Sequence, residues 1–159
     1  MVNSMIRKIR PSEISTLSEF LYEAIFVSEG SSHPPRDIIY QPELQVYLTD
    51  FGKRKDDICF VAEIDQRIAG AVWVRIMNDY GHVDDQTPSL AISIYKEYRG
   101  RGIGTALLKT MLTELKGRGY PQVSLSVQKA NYAVKMYKKV GFEIVEDKGE
   151  EYIMVCRIS

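Results

Sequence analysis

The sequence has 159 residues, a length that suits one domain with a sizeable core, so residues 1–159 are treated as a single domain. Its hydrophobic content of 45% and charged content of 26% are those of an ordinary globular protein. The 21 basic residues balance the 21 acidic ones, which argues against a nucleic-acid partner because general nucleic-acid binders are usually basic overall.

The sequence also lacks signals for export, membrane insertion or metal binding. No apolar run approaches membrane-spanning length and the first residues lack an apolar stretch, so we expect a cytoplasmic protein with no membrane partner. Cys59 and Cys156 each lie in an apolar, strand-like run, which favours a buried free thiol over a disulfide. His33 and His82 are scattered elsewhere, so no spacing typical of a metal site is present.

Patterns in the first half of the chain predict both helices and strands. Ser12 suits a helix start, because its hydroxyl can accept a first-turn N–H, and Glu13 follows it. Residues 30–35 have loop composition, and residues 65–67 have the length of a hairpin turn. In chain order we predict a strand at 5–10, helices at 12–25 and 43–50, strands at 58–64 and 68–77, and a polar loop at 78–88.

The second half alternates strands and helices more clearly. Asn131 can cap a helix that ends at Gly141, and this geometry folds Phe142 back toward Tyr137. The predicted elements are a strand at 89–94, a helix at 103–117, a strand at 122–127, a helix at 131–140, and an antiparallel pair at 142–147 and 151–158. The order is therefore βααβββαβαββ, a mixed sheet with helices on both faces.

A glycine-rich loop joins the strand at 89–94 to the helix at 103–117. It reads Arg99-Gly100-Arg101-Gly102-Ile103-Gly104, with glycine at every second position. Glycines let the backbone bend and approach a ligand, and the first N–H groups of the helix carry its positive dipole end. A strand, such a loop and a helix start predict a phosphate site.

Three alternatives to this prediction are weaker. A P-loop requires Gly-Lys-Ser/Thr, whereas Gly104 is followed by Thr105 and Ala106. A dinucleotide-binding loop requires G-x-G-x-x-G, whereas the spacing here is G-x-G-x-G. A glycine turn that only permits tight packing remains open.

A second motif lies in Asn131–Phe142, where Asn131, Tyr137, Gly141 and Phe142 are spaced along one strand–helix unit. Together with Arg99-x-x-Gly102-x-Gly104, it resembles the GNAT N-acetyltransferase superfamily, and the order of elements agrees over nearly the whole chain. The resemblance implies a mixed α/β (α+β) fold. Its central twisted sheet would have about seven mostly antiparallel strands and a splayed pair, with helices on both faces.

The resemblance implies acetyl-CoA as cofactor and direct transfer of its acetyl group to a primary amine of a small molecule or peptide. Tyr137 would protonate the departing thiolate, although it also fits a core aromatic beside Val134 and Val140. Asn131 would contact the cofactor, cap its helix, or both. The implied cofactor-binding residues are Ile92, Ser93, Ile94, Arg99, Gly100, Arg101, Gly102, Ile103, Gly104, Thr105, Asn131 and Tyr137.

The acceptor side is less defined, because the strand at 89–94 lacks the glutamate that some members carry. Glu29, His82 and Asp84 are candidates for the base, although each also fits a solvated surface residue. His33 and Tyr80 are candidates for the acceptor pocket.

Three further expectations follow. Lys135, Lys138 and Lys139 fit a solvated helix face better than a nucleotide clamp. Many relatives dimerise through their last strands, so residues 142–158 are where a homodimer would form. The alternative function is a non-catalytic acyl-CoA sensor of the same fold.

Overall fold

A computed structural model, which describes residues 4–27 and 30–158, contains a sheet of seven strands in the order β1-β2-β3-β4-β5-β7-β6. Neighbouring strands are antiparallel except β4 and β5, which run parallel. The elements are β1 (Ser4–Lys8), α1 (Leu17–Ala24), α2 (Pro42–Gln45), β2 (Ile58–Ile64), β3 (Arg67–Arg75), β4 (Ser89–Ile94), α3 (Ile103–Gly117), β5 (Gln122–Gln128), α4 (Ala133–Val140), β6 (Phe142–Asp147) and β7 (Glu151–Arg157).

The central strands are apolar on both faces because helices cover both sides of the sheet. Successive strand residues point to opposite faces. Val61 and Trp73 accordingly join the core beneath α1, whereas Phe60 and Val72 join the core beneath α3 and α4. The predicted mixed sheet with helices on both faces is confirmed.

The strands β4 and β5 splay apart. Six residues of β4 pair with β3, but the only register pair between β4 and β5 within the described residues is Ser89 with Ser124. From Leu90 onward, the β5 side of β4 is therefore an open strand edge. This is the splayed pair that the sequence predicted.

The structure departs from the sequence prediction mainly before β2. Ser12 lies inside a 3-10 helix, Pro11–Thr16, and the carboxylate of Glu13 accepts the Arg10 N–H at 2.9 Å in place of a serine cap. The predicted helix at 43–50 shortens to α2. Buried Arg75 donates to the carbonyls of Val46 and Thr49, which holds the chain after α2 in turns.

Cys59 and Cys156 are buried free thiols in opposite cores, which confirms the prediction for both. Within residues 4–27 and 30–158, no helix combines the length and apolarity needed to cross a membrane. The same residues contain no cluster of three or more His, Cys, Asp or Glu that could hold a metal ion.

Arg7 of β1 ties the start of the chain to the sheet. It forms ion pairs of 2.8 Å with both Glu13 and Glu63, and the Arg7 and Glu13 side chains are only 14% and 18% exposed. The hydrogen bond from Arg7 lowers the pKa of Glu13 from 4.5 to about 2. Because the folded pKa is depressed, the stabilisation is present above pH 4.5 and is lost as pH falls toward 2.

We expect Glu13→Gln to lower the free energy of unfolding at pH 7 by about 1–2 kcal/mol, since it removes a charge-assisted hydrogen bond. Thermal unfolding should show a Tm about 3–6 °C below that of the native chain. The difference should shrink between pH 5 and pH 2. Glu146→Gln is the control, because Glu146 is an exposed residue of β6. A Tm difference that stays constant with pH would contradict the assigned role of Glu13.

Candidate active site

A cleft of about 950 Å³ lies between α1, the end of β4, the glycine loop and α4. Its volume falls within the range of small-molecule sites. Of the predicted cofactor-binding residues, those that line it are Ile92, Ser93, Ile94, Arg99, Gly100, Gly102, Ile103, Gly104, Thr105, Asn131 and Tyr137. The two sequence motifs therefore meet at one site, which we call the first cleft.

The glycine loop presents a run of unpaired backbone N–H groups. Gly100 and Gly102 adopt left-handed conformations with φ of 77° and 80°, and Gly102 is the N-terminal cap residue of α3. Within the described chain, no N–H group of residues 100–105 donates to a carbonyl, and the next one, of Ala106, donates to Gly102 O at 3.1 Å. Consecutive free N–H groups at the start of a helix form a site for a phosphate anion.

The three glycines serve different purposes. A Cβ at Gly104 would lie 3.0 Å from Met136 Sδ and 3.1 Å from Ile94 Cδ1, so this glycine permits close packing of α3. A Cβ at Gly100 or Gly102 would meet nothing within 4 Å. Tight packing therefore explains only the third glycine, and the first two shape the loop through their backbone conformation.

Only one of the two loop arginines reaches the first cleft with its side chain. Arg99 lines the cleft, donates from Nε to Ile94 O at 2.9 Å and lies 3.5 Å from Glu23. Arg101 instead donates to Glu97 O at 3.3 Å and stacks over Tyr98, with its guanidinium 5.7 Å from the ring centre. Of the two arginines that the resemblance implied for cofactor binding, only Arg99 therefore lines the first cleft, and the Arg101 side chain does not.

The open edge of β4 presents the main chains of alternate residues. Tyr95 N–H donates to Ala69 O at 2.9 Å, which places Tyr95 among the residues bonded to β3. In an antiparallel ladder every second residue hydrogen-bonds to the neighbouring strand, so the main chain of Ser93 also faces β3. The main chains of Ile92 and Ile94 face the gap toward β5.

Ser93 lines the first cleft, but its polar groups bond within the protein. Its main chain belongs to the β3 ladder, and its hydroxyl donates to Phe20 O at 2.6 Å. Ser93 thus fixes α1 on the sheet.

Tyr137 lies where the first cleft meets the core. Its ring packs edge-on against Phe142 with centroids 5.8 Å apart, which confirms the predicted fold-back of the chain after α4. The Tyr137 hydroxyl has no hydrogen-bond partner among the described residues. It is not fully enclosed, since in that part of the chain Trp73 Nε1 is the one side-chain polar atom that is both enclosed and without a partner. Burial raises the pKa of the Tyr137 phenol, so the hydroxyl keeps its proton at neutral pH.

Asn131 starts α4 as predicted. Its side-chain Oδ1 accepts the Ala133 N–H at 2.9 Å, and its carbonyl accepts the Val134 N–H at 3.2 Å. Asn131 also lines the first cleft, so the helix-capping role and a cofactor contact are compatible.

The first cleft carries more positive charge than the sequence indicated. Lys135 and Lys139, one turn apart on α4, line it, and so does Lys96, whereas Lys138 does not. All three lysines of α4 are exposed, as the interpretation of a solvated helix face predicted, and Lys135 and Lys139 also border the first cleft. Helical spacing alone places them on one face, but only the packing of α4 shows that this face borders the first cleft.

A second cleft of about 410 Å³ lies at the gap between β4 and β5, bordered by α1, α2 and β7. It shares Ile92, Asn131 and Tyr137 with the first cleft. Tyr80, which the sequence analysis named as a candidate for the acceptor pocket, lines it. The sequence reasoning missed Tyr47, Gln128 and Glu151, which also line it.

The other acceptor candidates lie elsewhere. His33 lines the first cleft and not the second. His82 contacts Met77 O through Nδ1 at 2.9 Å and lies 3.4 Å from Asp85, and Asp84 accepts the Gln86 N–H at 2.8 Å. Both residues hold the turn after β3 and line neither cleft. Glu29 lies outside the described residues.

Comparisons with known proteins agree with this geometry. The model of the acetyltransferase (GNAT) family matches residues 20–142. The chain therefore belongs to the GNAT family of acetyltransferases, which use acetyl-CoA.

Two curated relatives match part of the chain. An N-alpha-acetyltransferase of Sulfurisphaera tokodaii is 34% identical over 109 residues, which cover 63% of this chain and 65% of the relative. A probable N-acetyltransferase, camello, of Xenopus laevis is 35% identical over 92 residues, which cover 55% of this chain and 40% of the relative. The chain thus matches about half the length of these relatives.

Solved structures of other proteins share this fold. The PaiA N-acetyltransferase of Thermoplasma acidophilum, solved in complex with coenzyme A, superposes with a TM-score of 0.72 at 22% identity, covering 98% of this chain and 99% of that one. At this identity the likeness establishes the shared fold, a mixed sheet of seven mostly antiparallel strands with helices on both faces.

Proposed function

We propose that this chain transfers the acetyl group of acetyl-CoA to a primary amine by direct transfer in a ternary complex. The observation that carries the proposal is the run of unpaired N–H groups at residues 100–105, which adjoins the open edge of β4. The loop suits a pyrophosphate, and the strand edge suits the amide-containing pantetheine arm, which can pair with it as an added strand does.

The proposed role of each cofactor-binding residue follows from where it lies. The N–H groups of residues 100–105 bind the pyrophosphate, with Arg99 and the lysines of the first cleft supplying positive charge. The main chains of Ile92 and Ile94 pair with pantetheine. Bound acetyl-CoA supplies an acetyl group activated as a thioester.

Tyr137 is the proposed acid. Tyr137 lines both clefts, and its hydroxyl keeps its proton at neutral pH and has no described partner, so it can hand a proton to the sulfur. The Ile94 N–H, which faces the gap, can donate to the thioester oxygen as negative charge develops there. The new C–N bond replaces the C–S bond. The acceptor ammonium gives up two protons, of which one ends on the sulfur and the other in solvent.

The second cleft favours an enzyme over a sensor. A protein that only senses acyl-CoA has no use for another cavity at the proposed acid, whereas a transferase needs two substrates to meet there. The second cleft reaches Tyr137 and Ile92 from the side opposite the cofactor loop.

Thiol release from acetyl-CoA tests this proposal. The purified chain should release coenzyme A faster with a primary amine than without one, and mass spectrometry should show the amine 42 Da heavier, the mass of an added acetyl group. The panel should span alkylamines, arylalkylamines, polyamines, amino acids, aminoglycosides and peptides with free N-termini. Tight binding of coenzyme A without turnover of any amine would identify a sensor instead.

A further inference from the structure

The two clefts differ sharply in charge. Lys96, Arg99, Lys135 and Lys139 all line the first cleft, against one carboxylate among the residues described there, that of Glu23, which pairs with Arg99. In the second cleft, Glu151 is the single charged residue among the described lining residues, and none of those residues is a lysine, arginine or histidine. An anionic acceptor would therefore enter a cleft with no cation to meet it, and a cationic acceptor would find a carboxylate.

Glu151 has no partner of its own. It is half-buried at the start of β7, opposite Gln128 of β5, and its carboxylate makes no hydrogen bond or ion pair within residues 4–27 and 30–158. The nearby Lys129 does not neutralise it, because that lysine pairs with Asp147. A half-buried carboxylate without a partner is available to a cationic ligand.

The charge of Glu151 reaches across the second cleft. Burial raises the pKa of the Tyr80 phenol, and the charges of Glu43 and Glu151 add to that effect. Burial likewise raises the pKa of the Tyr47 phenol, with further contributions from Asp79 and Glu151. The negative charges of Glu43 on α2 and Glu151 on β7 thus both act on a phenol that lines the second cleft.

The rest of the second cleft is mixed in polarity. Aliphatic side chains such as Leu21, Leu44 and Leu125 line it together with the polar side chains of Ser126, Gln128 and Asn131, and apart from Glu151 none of the described lining residues is charged. A volume of about 410 Å³ suits a small organic molecule. Such walls accommodate an uncharged body but offer no cation to a second, anionic group.

We infer that the acceptor is a primary amine on an otherwise uncharged body, and that Glu151 sets this specificity by binding its ammonium group. This inference rests on the proposed acetyltransferase function and names its substrate class. Glu151 acts before acetyl transfer, by binding the ammonium group in the second cleft, which Tyr137 also lines.

Two acceptors with the same ring but different charge test the inference. 2-Phenylethylamine is a cation, and L-phenylalanine adds a carboxylate to it. We expect kcat/KM for acetylation to be at least about 10-fold higher for 2-phenylethylamine, since an anion beside Glu151 costs at least 1.4 kcal/mol. A peptide with N-terminal phenylalanine is the third arm, and acetylation of the peptide alone would contradict a small-molecule acceptor.

Glu151→Gln should raise KM for 2-phenylethylamine about 10-fold, leave acetyl-CoA affinity unchanged and reduce the discrimination against L-phenylalanine. Glu150→Gln is the matched control, because Glu150 is exposed, adjacent and outside both clefts. Calorimetric titration of 2-phenylethylamine into the coenzyme A complex measures binding without turnover. The affinity should fall in Glu151→Gln and stay at the native value in Glu150→Gln.

Two outcomes separate the inference from the proposed function. If amines are acetylated but Glu151→Gln behaves like Glu150→Gln, the role of Glu151 is overturned and the acetyltransferase function stands. If coenzyme A binds but no amine binds or reacts, the function and the inference both fail.

Discussion

Gly102→Glu should abolish coenzyme A binding. Gly102 has φ of 80° and a Cβ there would meet nothing within 4 Å, so the new carboxylate would project from the middle of the anion-binding loop. Two like charges about 4 Å apart repel by about 4 kcal/mol at an effective dielectric constant of 20. Calorimetry should therefore show binding weakened about 100- to 1000-fold.

The control for backbone strain is Gly119→Glu. Gly119 follows α3 with φ of 85° and equally open surroundings, but it does not line the first cleft. Both variants carry the same side chain at a left-handed position, which costs about 1–2 kcal/mol. We expect both variants to lose a similar amount of Tm, but only Gly119→Glu to keep its affinity for coenzyme A. That result would assign the loss of binding in Gly102→Glu to the new carboxylate in the loop. Equal affinities would contradict the phosphate site.

Tyr137→Phe should lower kcat about 100-fold, the lower end of the contribution expected from a positioned general acid. The change removes the hydroxyl and keeps the ring, so the edge-on contact with Phe142 survives. Affinity for acetyl-CoA should change less than about 2-fold, because the lost group acts on the departing sulfur and not on the pyrophosphate. Steady-state kinetics and calorimetry on the same preparation separate the two effects.

Tyr152→Phe is the matched control. Tyr152 packs against the same core cluster as Tyr137 but lines neither cleft. We expect native kcat for this variant. If Tyr137→Phe weakens cofactor binding while the bound complex still turns over at the native rate, the tyrosine is structural and the acid is elsewhere.

The sequence by itself determined the local parts of this protein. Alternate glycines between an apolar strand and an amphipathic helix predict a phosphate loop because backbone conformation and helix dipole are local properties. The spacing from Asn131 to Phe142 likewise predicted a capped helix and the contact between Tyr137 and Phe142, which the structure confirms. The order of the elements predicted the mixed sheet, and the motifs gave the resemblance to the family, which implied the splayed pair.

The tertiary structure alone decided which of these side chains meet. Arg99 and Arg101 are equivalent in sequence, yet one enters the first cleft and the other folds onto Tyr98. Glu151 comes within reach of Tyr47 only because α2 and β7 converge on the gap between β4 and β5. Hydrophobic periodicity sets which face of an element is buried, but contacts between residues distant in sequence depend on how the elements pack. The second cleft was therefore visible only in the fold.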